Sequence, residues 1–323
     1  MKKLLPVIFC GLYSANAFAG STLFYSEAQG IVGYSGKEHK AVYHSADKHD
    51  AMQKNSFGFD LLHKLSGKKG DWSAFALQAR LAYNDSDKNL RPQIYNAYFK
   101  LKSSFGDIWA GHNRVAFGLP SYWDTHSDLI GNLSMQGVSF DRDWGAGYSY
   151  DYNKGNISTT LTTGTGMNIR DYGNWLSATR FSYGVLNYDN YTAGISFMFG
   201  ETLDTMGYKI IDRKPKNVWL SGIDVAYNVD NFEHKAEIDV GRHNHQPYYA
   251  LLYRLSINLD SEEQWKYDLQ PTYLYREKQE DWTLANGLSY RINSDVKLSF
   301  MHQYQHKENN NLYIMQIYFY KPV

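Results

Sequence analysis

Three titratable side chains, Asp124, His126 and Asp128, come at alternate positions, with Trp123 immediately before them and Arg114 upstream. A catalytic centre would need a nucleophile, a base and a group that orients the base. The only His–Ser neighbours are His44-Ser45 and Thr125-His126-Ser127, and such two-residue matches are expected by chance among eleven histidines. The run Arg242-His243-Asn244-His245 offers two imidazoles to a metal, but it reads better as an exposed hairpin tip. No glycine-rich nucleotide loop and no basic nucleic-acid patch occurs, so no cofactor, metal or nucleic-acid partner is expected. The chemistry left to the first group is electrostatic: charges of both signs that act on what passes them rather than on a bond.

Those residues sit in a segment that must be explained before they can be. From Asp107 to Asp143 the chain loses any period-2 pattern for about 25 residues and then regains it at Trp144. A loop of that length inside a compact domain is a functional loop or a sign of a wrong assignment.

Composition narrows the setting. Lys2 and Lys3, an apolar run from Leu4 to Tyr13, and Ala17-Phe18-Ala19 form a secretory signal, which divides the chain into a signal peptide over 1–19 and one domain over 20–323. The apolar run is too short to cross a bilayer as a helix, which takes about 20 residues. Cys10 is the only cysteine, so the exported chain has none, which excludes disulfide scaffolds and thiolate metal sites. Lys+Arg and Asp+Glu balance at 33 each, which points to no polyanionic partner. Tyrosine stands at 28, phenylalanine at 16 and tryptophan at 8, although the mean hydropathy is −0.53. A polar chain this rich in tyrosine suits a membrane-spanning β-barrel, with a thin apolar band, aromatic girdles and a wet interior, as well as it suits a large soluble β-protein.

Strand periodicity decides for the barrel. Trp282, Leu284, Asn286, Leu288, Tyr290 and Ile292 alternate with Thr, Ala, Gly, Ser and Arg; Tyr249 to Leu259 and Phe75 to Tyr83 alternate in the same way. Asn286, His302 and His234 are exceptions on the apolar face. The runs predict strands near 22–35, 54–65, 71–84, 91–103, 106–114, 143–153, 156–166, 176–187, 190–200, 217–229, 231–242, 246–259, 263–276, 281–292, 295–306 and 310–320. That makes an all-β, transmembrane antiparallel barrel of about 16 strands, an even number as such barrels require, with 14 as the alternative. Short turns alternate with longer connections at 36–53, 115–142, 166–175 and 201–216, as expected when both termini lie at the short-turn end. Pro271 falls inside a strand, at a bulge or an edge. A barrel this wide keeps an aqueous lumen.

The segment Gly106-Asp107-Ile108-Trp109-Ala110-Gly111, then Arg114, then Phe117-Gly118-Leu119-Pro120, resembles the fifth-strand exit of phosphate-selective and related Gram-negative outer-membrane porins. Arg142-Asp143-Trp144-Gly145-Ala146-Gly147 is similar to the return those proteins use. The motif covers about forty residues; elsewhere the likeness is architectural. The resemblance implies that loop 115–142 folds inward as a constriction, carrying Arg114, Trp123, Asp124, His126 and Asp128. It implies a non-enzymatic channel for small hydrophilic solutes in the outer membrane, lipid and lipopolysaccharide neighbours, and a homotrimer. Alternatives are an outer loop that covers the mouth, a channel specific for oligosaccharides or anions, and an outer-membrane enzyme such as a phospholipase.

Strand parity names the wall of the expected pore: Asp60, Lys64, Arg80, Lys100, Arg180, Asp224, Glu237, Arg254 and Asp268, with Glu233, Lys235, Asp239, Lys266, Arg276, Arg291 and Lys297 on the same face. Lys64, Arg80 and Lys100 fall far around the barrel from Asp224, Glu237 and Asp239, which predicts a field across the lumen. Pairing between neighbouring strands is the plainer account of any single one of them. A phosphate-selective pore would line its constriction with arginine and lysine. Here Asp124, Asp128, Asp141 and Asp143 face Arg114 and Arg142, which favours a general or weakly selective channel. At the C-terminus Tyr313, Met315, Ile317 and Phe319 alternate outward, as the assembly signal of such barrels does. The chain then ends Tyr320-Lys321-Pro322-Val323 rather than at an aromatic, a departure from the usual porin ending.

Overall fold

The computed structural model describes residues 20–42, 53–68, 70–84 and 88–323. The segment read as a signal peptide, 1–19, lies outside them, as do His44 and Ser45.

The chain folds as antiparallel strands in sequence order: β1 (Gly20–Ser35), β2 (Lys40–Val42), β3 (Ser56–Gly67), β4 (Gly70–Asn84), β5 (Asn89–Ser103), β6 (Gly106–Arg114), β7 (Arg142–Tyr152), β8 (Gly155–Thr162) and β9 (Trp175–Tyr183). They continue with β10 (Tyr191–Met206), β11 (Lys209–Val229), β12 (Phe232–His243), β13 (Gln246–Asn258), β14 (Trp265–Arg276), β15 (Gln279–Arg291), β16 (Val296–Gln305) and β17 (Asn310–Pro322). β2 is a three-residue return that pairs with the top of β1; the other sixteen form the wall. β1 pairs with β17 from Tyr25↔Pro322 to Ser35↔Leu312 and with β3 from Gly20↔Leu65 to Gln29↔Ser56. The sheet therefore closes on itself, and the seam where its two ends meet is paired rather than open.

Alternation makes these segments strands and sorts their faces. On β10, Ile195, Phe197 and Phe199 are exposed, while Ser196 and Met198 between them are buried. On β11 and β12, Trp219, Ile223, Ile238 and Val240 are exposed, while Asp224, Glu237 and Asp239 are buried. On β17, Tyr313, Met315 and Ile317 are exposed. Apolar side chains outside and charged ones inside invert the rule for proteins dissolved in water. A bilayer around the barrel accounts for that inversion.

Two expectations change. The connection expected over 201–216 is strand: β10 and β11 run on to a two-residue turn at Gly207-Tyr208, because the polar residues there alternate across a hairpin instead of looping. The expected strands 156–166 and 176–187 stop earlier, at Thr162 and Tyr183. Past Thr162 the Asp143 carboxylate takes over, accepting from the Gly164 and Gly166 amides. Pro271 sits in β14 opposite Leu284 of β15, and the pairing with β13 skips it between Leu252↔Thr272 and Leu255↔Leu269. The missing N–H thus falls where no ladder bond is made.

Candidate functional site

The irregular stretch leaves β6 at Arg114 and returns as β7 at Arg142, and these two residues still face each other in the ladder. Between them the chain cannot stay extended. Gly118 takes φ 58, and Pro120 opens a 3-10 turn over Leu119–Ser121. A second turn, Leu133–Gln136, is capped by Asn132 accepting from Ser134 N and ends on Gly137 at φ 80.

Apolar side chains hold this loop inside the barrel, against both sides of it. Val115, Phe117, Leu119, Leu133 and Val138 pack with Leu176, Met198, Leu220, Tyr248 and Leu252 of β9 to β13. Leu129 and Ile130 pack with Ile31, Ala285, Met301 and Ile314 of β1 and β15 to β17. Fully burying a side chain of this size is worth about 1.5–3 kcal/mol, which offsets the backbone ordering of about 1–2 kcal/mol at each anchoring residue.

Polar contacts complete the crossing. Asp124 Oδ2 lies 2.8 Å from Arg114 Nη2 and 3.0 Å from Arg142 Nη2. Its Oδ1 accepts from Tyr95 Oη at 3.1 Å and from the His126 amide at 2.9 Å. Arg142 also pairs with Asp141, donates to Asn96 Oδ1 at 2.7 Å and lies 3.7 Å from the Tyr95 ring centroid. His126 Nε2 meets Glu27 Oε1 of β1 at 2.6 Å. Asp128 meets Lys297 Nζ of β16 at 3.0 Å, and Arg254 of β13 donates to Ile130 O. Trp123 stands beside Arg254 and Lys235, with their charges 4.3 and 4.9 Å from the ring. Tyr122 Oη donates to Asp224 at 3.2 Å, and Gly118 N donates to Ser196 Oγ at 3.0 Å.

Arg142 and Arg114 hold the Asp124 carboxyl well below the ordinary carboxylate range. At Asp128 burial is overcome by Lys297 and Arg254 and the carboxyl is held low. Burial, and then the neighbouring Asp224, push the Tyr122 hydroxyl up, so it stays a donor.

Of the expected wall residues, Asp60 accepts from Tyr320 Oη at 2.9 Å. Lys64 pairs in the ladder with Ala74. Arg80 donates to Gln93 at 2.9 Å and to Gln29 at 3.4 Å, and Lys100 pairs with Asp107 at 3.5 Å. Arg180 meets Asp224 through Nε at 2.9 Å and through Nη2 at 2.6 Å. Glu237 lies against Gly118, where an added Cβ would collide with its Oε1. Arg254 donates to Gln270 at 2.8 Å, and Ser256 donates to Asp268. The structure brings Arg114, Asp124 and His126 into one network, and Trp123 and Asp128 into a second with Arg254. Lys64 and Lys100 stand outside both, and Arg80 lies next to the first, beside Gln29 of β1. Because Arg180 stands against Asp224, the acidic side of the lumen is partly neutralised.

Strand parity misses Tyr95, the hydroxyl and ring at the centre of the first network. A register shift in the β4–β5 ladder, where Gln78↔Asn96 is followed by Ala79↔Ile94, inserts Tyr95 as an extra residue and turns it inward. Glu27 escapes for a different reason: nothing in β1 marks it as a partner for a residue about a hundred positions away.

No family model matches the sequence, and no curated protein matches it. Solved structures do. OmpT of Vibrio cholerae in its trimer form, an outer membrane protein, superposes with a TM-score of 0.69 at 11% identity over 94% of this chain and 99% of that one. The anion-selective porin of Comamonas acidovorans gives 0.64 at 10%, over 94% and 100%. OmpF of Salmonella typhi, in complex with daunomycin, gives 0.66 at 10%, over 93% and 97%. At these identities the likeness establishes the fold: a closed barrel of sixteen strands, of the kind that outer-membrane porins have.

Proposed function

We propose that the chain is an outer-membrane channel through which small hydrophilic solutes and ions diffuse, and that loop 115–141 is its constriction. One observation carries this reading. The loop leaves the wall between β6 and β7 and is held across the lumen by contacts to strands on both sides, an arrangement that narrows a passage without sealing a surface. Arg114, Trp123, Asp124, His126 and Asp128 then border the narrowest part. Asp60, Lys64, Arg80, Lys100, Arg180, Asp224, Glu237, Arg254 and Asp268 belong to its wall. Nothing in this arrangement requires a bond-breaking step.

The choice between general and selective diffusion turns on charge. Below the loop, towards the short-turn end, a cavity of about 250 Å³ is lined by Lys266, Arg291 and Lys297 and by Asp128, Glu263 and Asp268. Three cations face three carboxylates, so neither sign is favoured. This supports weak selectivity over the phosphate-selective type that the flanking motifs resemble. The short-turn end, with both termini, faces the periplasm in this reading. Trimer assembly is proposed on the likeness to the trimer form of OmpT.

Reconstitution in planar bilayers tests the reading, with single-channel conductance and the reversal potential in a KCl gradient. Discrete openings with a small reversal potential are expected. A folded chain that conducts nothing overturns the channel, and a strong anion preference restores the phosphate-type alternative. Deleting Trp123–Leu133 is expected to raise conductance; unchanged conductance places the loop outside the passage.

A further inference from the structure

The rim of the barrel is uneven at the long-loop end. β6, β7, β8 and β9 have 9, 11, 8 and 9 residues, whereas β10 and β11 have 16 and 21. β9 accompanies β10 only as far as Trp175↔Glu201, and β12 accompanies β11 only as far as His243↔Val218. The hairpin from Thr202 to Asn217 therefore rises past both neighbours. At its root the ladder shifts twice, between Thr202 and Asp204 and between Asp204 and Thr205. Such irregularities bend a strand, and the contacts show where the bend leads. Leu203 is buried, and its amide donates to Gly164 O at 3.0 Å. Met206 Cε lies 3.8 Å from where a Cβ on Gly137 of the inner loop would stand. Tyr208, at the turn, donates from Oη to Ile94 O of β5 at 2.8 Å.

The far contact has a physical reason. β5 pairs with β4 along its length, from Asn89↔Asn84 to Leu101↔Ser73, but with β6 only from Ala97 onward, because β6 ends where the inner loop begins. Above Ala97, β6 no longer runs beside β5, and Ile94 lies in that part of the strand. The hairpin tip reaches it with the Tyr208 hydroxyl.

We propose that the β10–β11 hairpin is a lid over the outer mouth, latched by Tyr208 to Ile94 of β5, so that a solute meets a displaceable barrier before it reaches the inner loop. This rests on the channel reading. The root of the hairpin is tied internally by Lys216 to Asp204 and Asp212, so its two strands move as one piece. The latch at the tip joins that piece to a separate strand through a neutral hydrogen bond. The hairpin therefore parts from its neighbours at the tip, and the bulged root is the hinge.

Two variants test it in planar bilayers, each first shown to be folded by its heat-modifiable electrophoretic mobility. A chain lacking Thr205–Ile210 is expected to conduct more than the parent and to admit larger polyethylene glycols from the hairpin side. Tyr208→Phe, which removes only the donor, is expected to keep the open conductance and to multiply brief transitions several-fold. A folded deletion chain with the parent's conductance and polymer cutoff overturns the lid. Raised conductance in the deletion with unchanged gating in Tyr208→Phe overturns the latch. A parent that conducts nothing overturns the channel reading, and the lid with it.

Discussion

Replacing Asp124 by asparagine removes the charge that joins the loop to Arg114 and Arg142 while keeping the side-chain shape. The parent carboxylate makes two charged contacts, at 2.8 and 3.0 Å. Hydrogen bonds to charged groups contribute about 1.5–3 kcal/mol each, but the Asp124 side chain keeps 41% of its exposure. Water therefore screens the pair, and exposed pairs give only about 0.2–1 kcal/mol. Arg142, at 1% exposure, retains Asp141 as a partner, so its charge is not stranded. The net loss falls between these limits, about 1–2 kcal/mol of loop anchoring, or about tenfold in the ratio of seated to unseated loop. In single-channel recordings this appears as more frequent conductance fluctuations and a higher mean conductance. A folded Asp124→Asn chain with the parent's noise, conductance and reversal potential refutes the assignment of Asp124 as an anchor of the constriction.

Acid should act on the same anchors. Asp124 and Asp128 have carboxyls held below their unfolded values, about 3.9, so their contribution is complete above about pH 4 and is lost as pH falls through the lower folded values. The contribution of these two carboxylates to conductance noise should appear as a rise below about pH 4; noise that does not rise between about pH 4 and the acid limit of the folded barrel would contradict this. Arg180→Ala leaves Asp224 buried without its cation, and a cost of about 3–5 kcal/mol is expected in urea-unfolding measurements. Gly118→Ala combines a positive φ with a Cβ driven into Glu237 Oε1, so the loop must shift, and the variant's conductance should rise with little change in global unfolding.

The barrel is legible in the sequence because it is written in local alternation. A strand exposed to lipid on one face and to water on the other needs period 2 over its whole length, and that signal survives without knowledge of its neighbours. The strand number and the place of the inner loop follow from counting such runs, although the hairpin over 201–216 reads as a connection because its polar residues alternate with no apolar face. Networks inside the barrel are not legible in this way. Tyr95 turns inward only because the β4–β5 ladder slips by one residue, and a slip depends on the partner strand. Glu27 meets His126, and Tyr208 meets Ile94, across distances in sequence that no local pattern encodes. The spacing of Asp124, His126 and Asp128 picks them out, yet they do not act as one charged row: Asp124 joins two arginines, His126 joins Glu27, and Asp128 joins Lys297. Sequence determined that charge of both signs would line this loop. Only closure of the sheet, which brings β1, β5, β13 and β16 around it, decided which charge meets which.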